Sequence, residues 1–466
     1  MKRYTYYIIS CITLLFLSNS CNKETVTPSA DNTVNDWIYS TMISRYYWSD
    51  KIPTKGKLNF KSDPELFFES LLSNSDGKHN ADKSYYYSWI ENTNKETRSG
   101  SIEESYGFIP IFYLYSNSQN VYMRVQYVVH GSAAASVGIK RGDTFSKFNG
   151  QQLTRSNYRQ FADGKSAVEL QRVKLSIVGN SVTAQNIDVI NLPAAQEIEI
   201  NPFYSHTTLT VDGIMISYLV YGAFDRGKLD NSNEYESQMR QIFSEFKSNP
   251  ANVFVLDLRH NSGGYVSCAQ QLATYLAPTG SLNGNLGYLE YRDGRRSTLN
   301  FVQNEKSNNL NLSKLYIVVS STTASASELI INGLKPYFGD NLIIVGLTTE
   351  GKNVASQEYK GTGNTAGWSM HPITSKVFNS RGESGYENGF TPLPNHRVNE
   401  YDATTNRYAE WYELGDPREY LLKNVISVIK TGSVENPLSR TKAGLFSKDE
   451  VVIIPRKSSS LIMDSI

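Results

Sequence analysis

Residues 320–352 read SSTTASASELIINGLKPYFGDNLIIVGLTTEGK, and they follow a run of β-branched and apolar residues, LYIVV at 315–319. The run predicts a buried strand, and apolar residues at helical spacing after the Ser/Thr cluster predict a helix. Ser325 falls where the turn becomes that helix, so N–H groups of the first turn point at whatever its oxygen attacks. A second strand, 342–345, then leads into a short loop that delivers Lys352. A serine and a lysine placed in this way can meet as nucleophile and base.

The same residues also have an ordinary structural explanation. Serine and threonine in front of a helix are usually caps, and a loop lysine is usually a solvated charge. Because Ser321, Thr322 and Thr323 are also available as caps, Ser325 is not needed for that task. The local pattern alone leaves capping and catalysis both open.

The segment TASASE at 323–328, with a hydrophobic strand before it and a second strand and Gly-Lys after it, resembles the signature of the C-terminal processing (tail-specific) serine proteases. The resemblance implies an α/β fold, with a layered protease domain related to crotonase and ClpP. It also implies a Ser–Lys dyad in which Ser325 is the nucleophile and Lys352 is the base. The lysine-orienting glutamine of that family falls one place late here, with Ser356 at its position, so Gln357 is the candidate for that role.

A second glycine-containing loop, DLRHNSGG at 257–264, follows another predicted strand and resembles the loop that lines the oxyanion pocket in the same protease family. The resemblance implies that the backbone N–H of Gly263 or Gly264, together with that of Ala326, holds the developing negative charge. Each such donor typically contributes about 3 kcal/mol in the transition state. His260 keeps a Ser–His alternative open, since local spacing does not tell whether it faces the nucleophile.

Residues 101–192 carry a β signal, in which apolar side chains alternate along the chain. Within them, VVHGSAAASVGIKRGDTFSKFNG at 128–150 resembles the core of a PDZ domain. Tyr106, Gly107 and Phe108 would then match the carboxylate-binding loop of that fold, whose N–H groups capture a chain terminus while the peptide adds as a strand. The alternative is that the glycines of this region only form turns.

The N-terminus has the layout of a secretory signal, because Lys2 and Arg3 precede an apolar stretch, 6–17, that is too short for a permanent membrane span. Cys21 follows Leu-Ser-Asn-Ser at 17–20, which resembles a bacterial lipobox, and the polar run after it is typical of a tether. We therefore expect export to the bacterial cell envelope and attachment to the membrane through a lipid on Cys21, at the periplasmic or the surface face. Cleavage without lipid attachment is the alternative.

Composition and motifs argue against nucleic acid, metal, cofactor and nucleotide as partners. Lys and Arg total 46 against 45 acidic residues, so no net field favours nucleic acid. We expect neither a metal nor a cofactor, since no His/Cys cluster has ligand spacing and no paired-carboxylate motif is present. Residues 346–353, GLTTEGKN, nearly spell a phosphate-binding loop, but an extended segment follows where a helix should begin, so we expect no nucleotide.

Two further side-chain roles are predicted to be structural. Asp257 and Arg259 should form an ion pair that fixes their loop. Cys268 shares an apolar helical face with Leu272 and Leu276, which predicts a buried thiol and not a nucleophile.

The sequence thus predicts six parts: a signal peptide (1–20), a tether (21–32), a helical N-terminal region (33–100), a PDZ-like peptide-binding domain (101–192), a Ser–Lys protease domain (205–431) and a C-terminal tail (432–466). The expected function is that of an exported, lipid-anchored serine endopeptidase that captures polypeptide substrates by their C-termini. The competing hypothesis is a peptide-binding lipoprotein without catalysis on a degenerate protease fold. The presence of both Ser325 and Lys352 argues against it, because capture alone needs neither residue.

Overall fold

The computed structural model describes residues 32–79, 84–93, 102–114, 119–162, 164–178, 181–229, 232–400 and 411–435, together with 451–452 and 462–463. The predicted signal peptide and Cys21 lie outside the described residues. Within those ranges, no helix is both long enough and apolar enough to cross a membrane.

The N-terminal region contains three short strands in addition to the helices that its sequence predicts. Its elements are α1 (Asn32–Arg45), α2 (Pro64–Glu69), β1 (Lys78–His79), β2 (Ser84–Tyr85) and β3 (Trp89–Asn92). Helix α2 begins where it does because Asp63 accepts hydrogen bonds from the first-turn N–H groups and Pro64 fits the first helical position. The helices pack against side chains from a much later part of the chain, including Met370 and Ile373.

Residues 102–192 form a β-rich domain where the PDZ-like module is predicted. Its elements are β4 (Ile102–Ser105), β5 (Phe108–Leu114), β6 (Val121–Val128), α3 (Ala133–Ser136), β7 (Thr144–Phe148), β8 (Gln151–Gln152), α4 (Tyr158–Ala162), β9 (Val168–Val178) and β10 (Ser181–Leu192). The antiparallel sheet has the order β10-β9-β7-β6-β5. Helix α4 packs beside β5 through Tyr158 on Phe112 and Phe161 near Phe108. Strand β4 pairs with β11 (Gln196–Glu199) where the domain joins the rest of the chain.

The part of the chain after residue 202 contains two large sheets with helices between them. Its elements are β12 (Phe203–Val211), β13 (Ile214–Tyr221), α5 (Glu234–Ser248), β14 (Val253–Asp257), α6 (Val266–Leu276), β15 (Asn285–Tyr291), β16 (Arg296–Asn300), β17 (Leu315–Val319), α7 (Ala326–Phe338), β18 (Leu342–Gly346), β19 (Val354–Gln357), β20 (Tyr359–Lys360), β21 (Trp368–His371), β22 (Ile373–Asn379) and α8 (Tyr420–Thr431). The first sheet has the order β12-β13-β14-β17-β18, in which the last four strands are parallel. The second, β16-β15-β22-β19, is antiparallel. A small third sheet, β20-β21-β3, attaches the N-terminal region.

Alternation along the strands explains the layers, because successive side chains point to opposite faces of a sheet. In β13, Leu219 and Tyr221 belong to a core with α5, α6, α7 and the second sheet, whereas Tyr218 and Val220 belong to a core with α8. Cys268 lies in the first of these cores as a buried thiol, as predicted. The predicted fold class, a layered α/β domain with an N-terminal helical region and a β-rich domain, is confirmed.

The topology brings the two candidate loops to one edge of the first sheet. Strands β14 and β17 are parallel neighbours, so their carboxyl ends lie side by side. The DLRHNSGG loop leaves β14 and the TASASE turn leaves β17. Two strands come from the C-terminal tail: β23 (Val451–Val452) pairs with β5, and β24 (Ile462–Met463) pairs with β19.

Candidate active site

Ser325 lies at the turn between β17 and α7 in an unusual backbone conformation. Its φ of 63° and ψ of −113° are rare for a residue with a side chain. Such a conformation costs on the order of 1–3 kcal/mol and persists only where neighbouring residues hold it. The side chain is 0% exposed, and its Oγ has no hydrogen-bond partner among the described residues. Ser325 is the N-cap residue of α7, and its backbone N–H donates to Glu328 as in a capping box. A strained and buried hydroxyl in that position is typical of a reactive site.

Hydrogen bonds to the loop after β14 hold this turn in place. Thr323 Oγ1 donates to the carbonyl oxygen of Leu258 at 2.8 Å. Ala324 N and Ser327 Oγ both donate to the carbonyl oxygen of Asn261, at 3.2 and 3.0 Å. The residues on each side of the nucleophile candidate are therefore fastened to the neighbouring loop.

The Glu328 carboxylate connects the serine turn to the lysine loop. It accepts hydrogen bonds from the backbone N–H of Ser325 at 3.0 Å and from that of Lys352 at 2.8 Å, both at the same oxygen. Its other oxygen accepts from Gly351 N and Thr349 Oγ1. Burial raises the pKa of Glu328, and these four donors oppose the rise. The backbone nitrogens of Ser325 and Lys352 therefore lie close together, because both donate to the same oxygen atom.

Lys352 is buried, with 2% of its surface exposed. Burial lowers the pKa of its amine to about 8, although Asp76, Glu350 and Glu328 act in the opposite direction. The Nζ atom lies 4.9 Å from the centroid of the Tyr87 ring. A lysine with this pKa is partly neutral near physiological pH, as a general base must be.

The N-terminal region supplies part of the lysine's surroundings, a role that its sequence does not indicate. The hydroxyls of Tyr85 and Tyr87 donate to Glu350 in the lysine loop. Asp76 accepts from the Tyr46 hydroxyl at 2.9 Å and from Tyr87 N at 3.0 Å, which fixes the connection between β2 and β3 that carries Tyr87. No local pattern could have identified these residues, because the atoms that they contact lie more than 250 positions later in the chain.

The two glycines of the DLRHNSGG loop differ in their suitability for an oxyanion site. A Cβ atom on Gly263 would lie 2.7 Å from Ser325 Cβ and 3.1 Å from its Oγ, so only glycine allows this approach. The Gly263 N–H, however, donates to Asn261 Oδ1 at 2.9 Å. The N–H groups of Gly264 and Ala326 donate no recorded hydrogen bond to any described residue. These two groups are therefore the ones available to an oxyanion.

A buried charge cluster lies directly behind that loop. Arg259 pairs with Asp257, as predicted, and its guanidinium also donates to Glu419 at 2.7 and 2.8 Å and to Glu400 at 3.1 Å. Arg141 from the β-rich domain contacts the same two glutamates. Burial would raise the pKa of Glu419, but the two guanidinium groups hold it well below its ordinary value. The cluster joins the β-rich domain to the loop beside Ser325.

His260 belongs to this cluster and not to a Ser–His pair. Burial lowers the pKa of His260 well below its usual value, and the charged groups that further act on it are Arg259, Arg141 and Glu419. The Glu328 carboxylate, in contrast, holds the backbone of Lys352 next to that of Ser325. The geometry therefore supports lysine over histidine as the base.

Gln357 makes no hydrogen bond to Lys352 among those of the described residues. The side-chain oxygen of Gln357 accepts from the Tyr359 hydroxyl at 2.9 Å, and its backbone N–H donates to Pro372. The ring of Tyr87 lies against the lysine amine. Strand alternation explains the difference, since a shift of one place along β19 moves a side chain to the other face.

The loop predicted to bind a carboxylate lies at the start of β5, beside α4. Gly107 has a φ of 81°, its N–H donates to Ser105 Oγ at 3.1 Å, and its carbonyl accepts from the chain after β6. The rings of Tyr106 and Phe108 stack with that of Phe161. The loop is thus held at the start of β5 by contacts with α4 and with the chain after β6.

Glu328→Gln should impair catalysis more than it impairs folding. Whichever way the amide turns, its nitrogen replaces an oxygen that now accepts two hydrogen bonds. Either the bonds to Ser325 and Lys352 or those to Gly351 and Thr349 are then lost, so the lysine loop should loosen. We expect peptidase kcat to fall by about 100-fold, as small misplacements of reacting groups do, and stability to fall by about 1–3 kcal/mol. Turnover and urea unfolding would be measured beside Glu169→Gln, an exposed glutamate of β9. Equal kcat in both variants would contradict the proposed bridge.

Known proteins share this sequence and architecture. Residues 33–89 match the family profile described as "Peptidase S41 N-terminal domain", and residues 215–393 match "Peptidase family S41". The chain is 26% identical over 254 residues to "Carboxyl-terminal-processing peptidase 3, chloroplastic" of Arabidopsis thaliana, a match that covers 52% of this chain and 44% of that protein. The chain thus spans less than half the length of this curated relative.

A solved structure gives a more extensive match. A Bacteroides fragilis protein assigned to the S41 proteases is 27% identical and superposes with a TM-score of 0.72, over 84% of this chain and 97% of that one. The two profile matches include the N-terminal region and the domain that carries Ser325 and Lys352. The chain belongs to peptidase family S41, a family of serine-type peptidases.

Proposed function

We propose that this protein is an endopeptidase that cleaves polypeptides with Ser325 as nucleophile and Lys352 as general base. The observation that carries the proposal is the Glu328 bridge, in which one carboxylate oxygen accepts the backbone N–H of both residues. A strained serine and a buried lysine are held side by side by a single group. Neither packing nor capture of a peptide requires this arrangement.

The first step is proton transfer from the Ser325 hydroxyl to the neutral amine of Lys352. With a pKa of about 8, about one lysine in ten is neutral at pH 7. Ser325 Oγ has no partner in this structure, so a side-chain rotation that brings the hydroxyl and the amine together must precede transfer. Such contacts often tighten only when substrate is bound.

Attack on the peptide carbonyl then forms a tetrahedral intermediate. We assign its oxyanion to the N–H groups of Gly264 and Ala326, which donate to no described residue and belong to the turns that follow the neighbouring strands β14 and β17. The Lys352 ammonium returns its proton to the leaving amine as the C–N bond breaks, which leaves an ester on Ser325. Water, deprotonated by the neutral lysine, then releases the acyl group and restores the serine.

Substrate capture is assigned to the β-rich domain. We propose that polypeptide tails bind beside β5, with their carboxylates at the loop formed by Tyr106, Gly107 and Phe108. The support is the position of that loop at the start of β5, beside α4, together with the resemblance of residues 128–150 to a PDZ core.

Export and lipid attachment at Cys21 complete the proposal, and they rest on the sequence of residues 1–21 alone. The enzyme would act in the cell envelope on exported polypeptides. Partition of the full chain and of Cys21→Ser between membrane and soluble fractions tests this part: a chain that is equally soluble in both forms is not lipid-anchored through Cys21.

Trapping of the acyl-enzyme tests the catalytic assignment directly. The mature chain, mixed with an unfolded polypeptide and quenched in acid within one turnover, should carry a peptide-sized mass on the fragment that contains Ser325. Ser325→Ala should carry none. Ser321→Ala, an exposed serine of the same turn, should be acylated as the wild type is. Binding of the polypeptide without acylation or cleavage in any form would instead support the non-catalytic peptide-binding lipoprotein.

A further inference from the structure

The outer edge of β5 is occupied by this chain's own C-terminal tail. Val451 and Val452 pair antiparallel with Tyr113 and Phe112, which makes β23 an added strand of the β-rich sheet. β5 begins at the loop to which we assign carboxylate binding, and its other edge is taken by β6. The tail therefore lies in the position that an added peptide strand would take.

The same tail occupies a second edge, next to the lysine loop. Ile462 and Met463 pair in parallel register with Ser356 and Gln357 of β19, a strand that begins two residues after Lys352. β24 also lies alongside α6, the helix that follows Gly264. Val452 and Ile462, ten positions apart in the chain, thus lie at an edge of the proposed capture domain and at an edge next to the proposed catalytic centre.

We propose that the edges of β5 and β19 form one path for an extended polypeptide, and that the C-terminal tail is its resident occupant and competes with substrate. This inference rests on the proposed function and identifies how that site takes its substrate. The tail is suited to such pairing, because VVII at 451–454 and LIM at 461–463 are strand-forming segments separated by a polar and basic stretch.

Main-chain pairing explains how the tail can compete with unrelated sequences. The N–H and C=O groups of an edge strand bind any extended backbone, and side chains then tune the preference. A tethered segment acts at an effective concentration in the millimolar range when its linker is short and flexible. A substrate must therefore displace the tail. Its apparent affinity equals its intrinsic affinity multiplied by the fraction of molecules whose β5 and β19 edges are empty.

The test breaks the tail strands in the full-length protein. Val451→Pro/Val452→Pro and Ile462→Pro/Met463→Pro remove the N–H groups needed for pairing with β5 and β19. Ser459→Pro, between the two strands, is the matched control. Each form would be assayed for KM and kcat on an unfolded polypeptide and on a small activated ester that is too short to pair with either edge. A fluorescent peptide with the sequence of residues 447–466 would be titrated into each form carrying Ser325→Ala.

We expect the two strand-breaking variants to lower the polypeptide KM at least about tenfold, which corresponds to a tail that occupies nine-tenths of the molecules. Their ester kinetics should be unchanged, and the peptide should bind them at least about tenfold more tightly than it binds the control. Equal peptide affinity in all forms would overturn the inference, whatever the activity. If the strand-breaking variants bind the peptide more tightly but no form hydrolyses the polypeptide or the ester, the tail does occupy the two edges, and the proposed function is overturned instead.

Discussion

Lys352→Ala should lower kcat/KM for polypeptide cleavage by about 10⁴- to 10⁶-fold, the range seen when one member of a nucleophile–base unit is removed. The reason is that Lys352 is the base that the Glu328 carboxylate holds next to Ser325, whereas His260 belongs to the charge cluster. Ser325→Ala should cost as much, and the double variant no more than either single one. Lys140→Ala, an exposed lysine of the β-rich domain, is the control.

The pH dependence identifies the lysine's role more specifically. The neutral amine is the active form, so kcat/KM of the wild type should rise tenfold per pH unit below the pKa of about 8 and level off above it. A profile that is flat from pH 6 to 9, or a Lys352→Ala variant that keeps a hundredth of the activity, would exclude lysine as the base.

Replacing Lys352 should raise the free energy of unfolding, although it abolishes activity. The folded-state pKa of Lys352 lies below its ordinary value of 10.5, so the unfolded chain binds the extra proton and folding is penalised most below pH 8. Lys352→Met should therefore stabilise the inactive protein by on the order of 3 kcal/mol at pH 7, with the gain shrinking as pH rises to 10.5. A merely structural lysine would show loss of stability together with loss of activity.

Arg259→Leu should produce the largest loss of stability. It leaves the carboxylates of Asp257, Glu400 and Glu419 with Arg141 alone, in a site where Arg259 is 1% exposed. Removing one partner from a buried ion cluster typically costs about 3–5 kcal/mol, because the remaining charges stay desolvated. Urea unfolding would measure the loss. The loop beside Ser325 should loosen as well, and activity should fall with stability.

Two measurements show whether the loss of stability comes from the buried charges and not from the loss of any arginine. They are the pH dependence of unfolding and the exposed variant Arg295→Leu. The folded-state pKa of Glu419 is depressed, so its contribution is present above its ordinary pKa and is lost as pH falls through the folded value. The difference in unfolding free energy between wild type and Arg259→Leu should therefore stay constant from pH 7 down to the ordinary glutamate pKa of 4.5, and narrow below it. Arg295→Leu removes an exposed ion pair with Asp293 and should leave the urea midpoint almost unchanged. Equal midpoints for the two variants would contradict the cluster's role.

The elements around Ser325 could be predicted because their signals are local. The LYIVV run and the helical spacing after it are properties of neighbouring residues, and both strand and helix form there. The pairing of β14 with β17 could also be anticipated, because two strand–loop–helix units in one α/β domain place their loops at one edge.

The contacts that complete the candidate site could not be predicted in the same way. Glu328 bonds to Gly351 and Lys352, 23 and 24 positions later, and only its place in TASASE hints at a role. The tyrosines that surround the lysine come from a region whose periodicity describes packing alone. Such contacts depend on tertiary arrangement, which neither helical nor strand periodicity encodes. Gln357 shows the same limit. It stands one place later in the sequence than the glutamine of the protease family, and one place along a strand moves a side chain to the opposite face.

The pairing of β3 with β21 has a consequence for how the enzyme matures. It joins Trp89–Asn92 to Trp368–His371 and so holds Tyr87 over Lys352. A nascent chain that has left the ribosome only in part has not yet buried this amine, so the lysine stays protonated and inert. Hydrolytic activity would then arise only after residues 368–371 have been synthesised and have paired with residues 89–92.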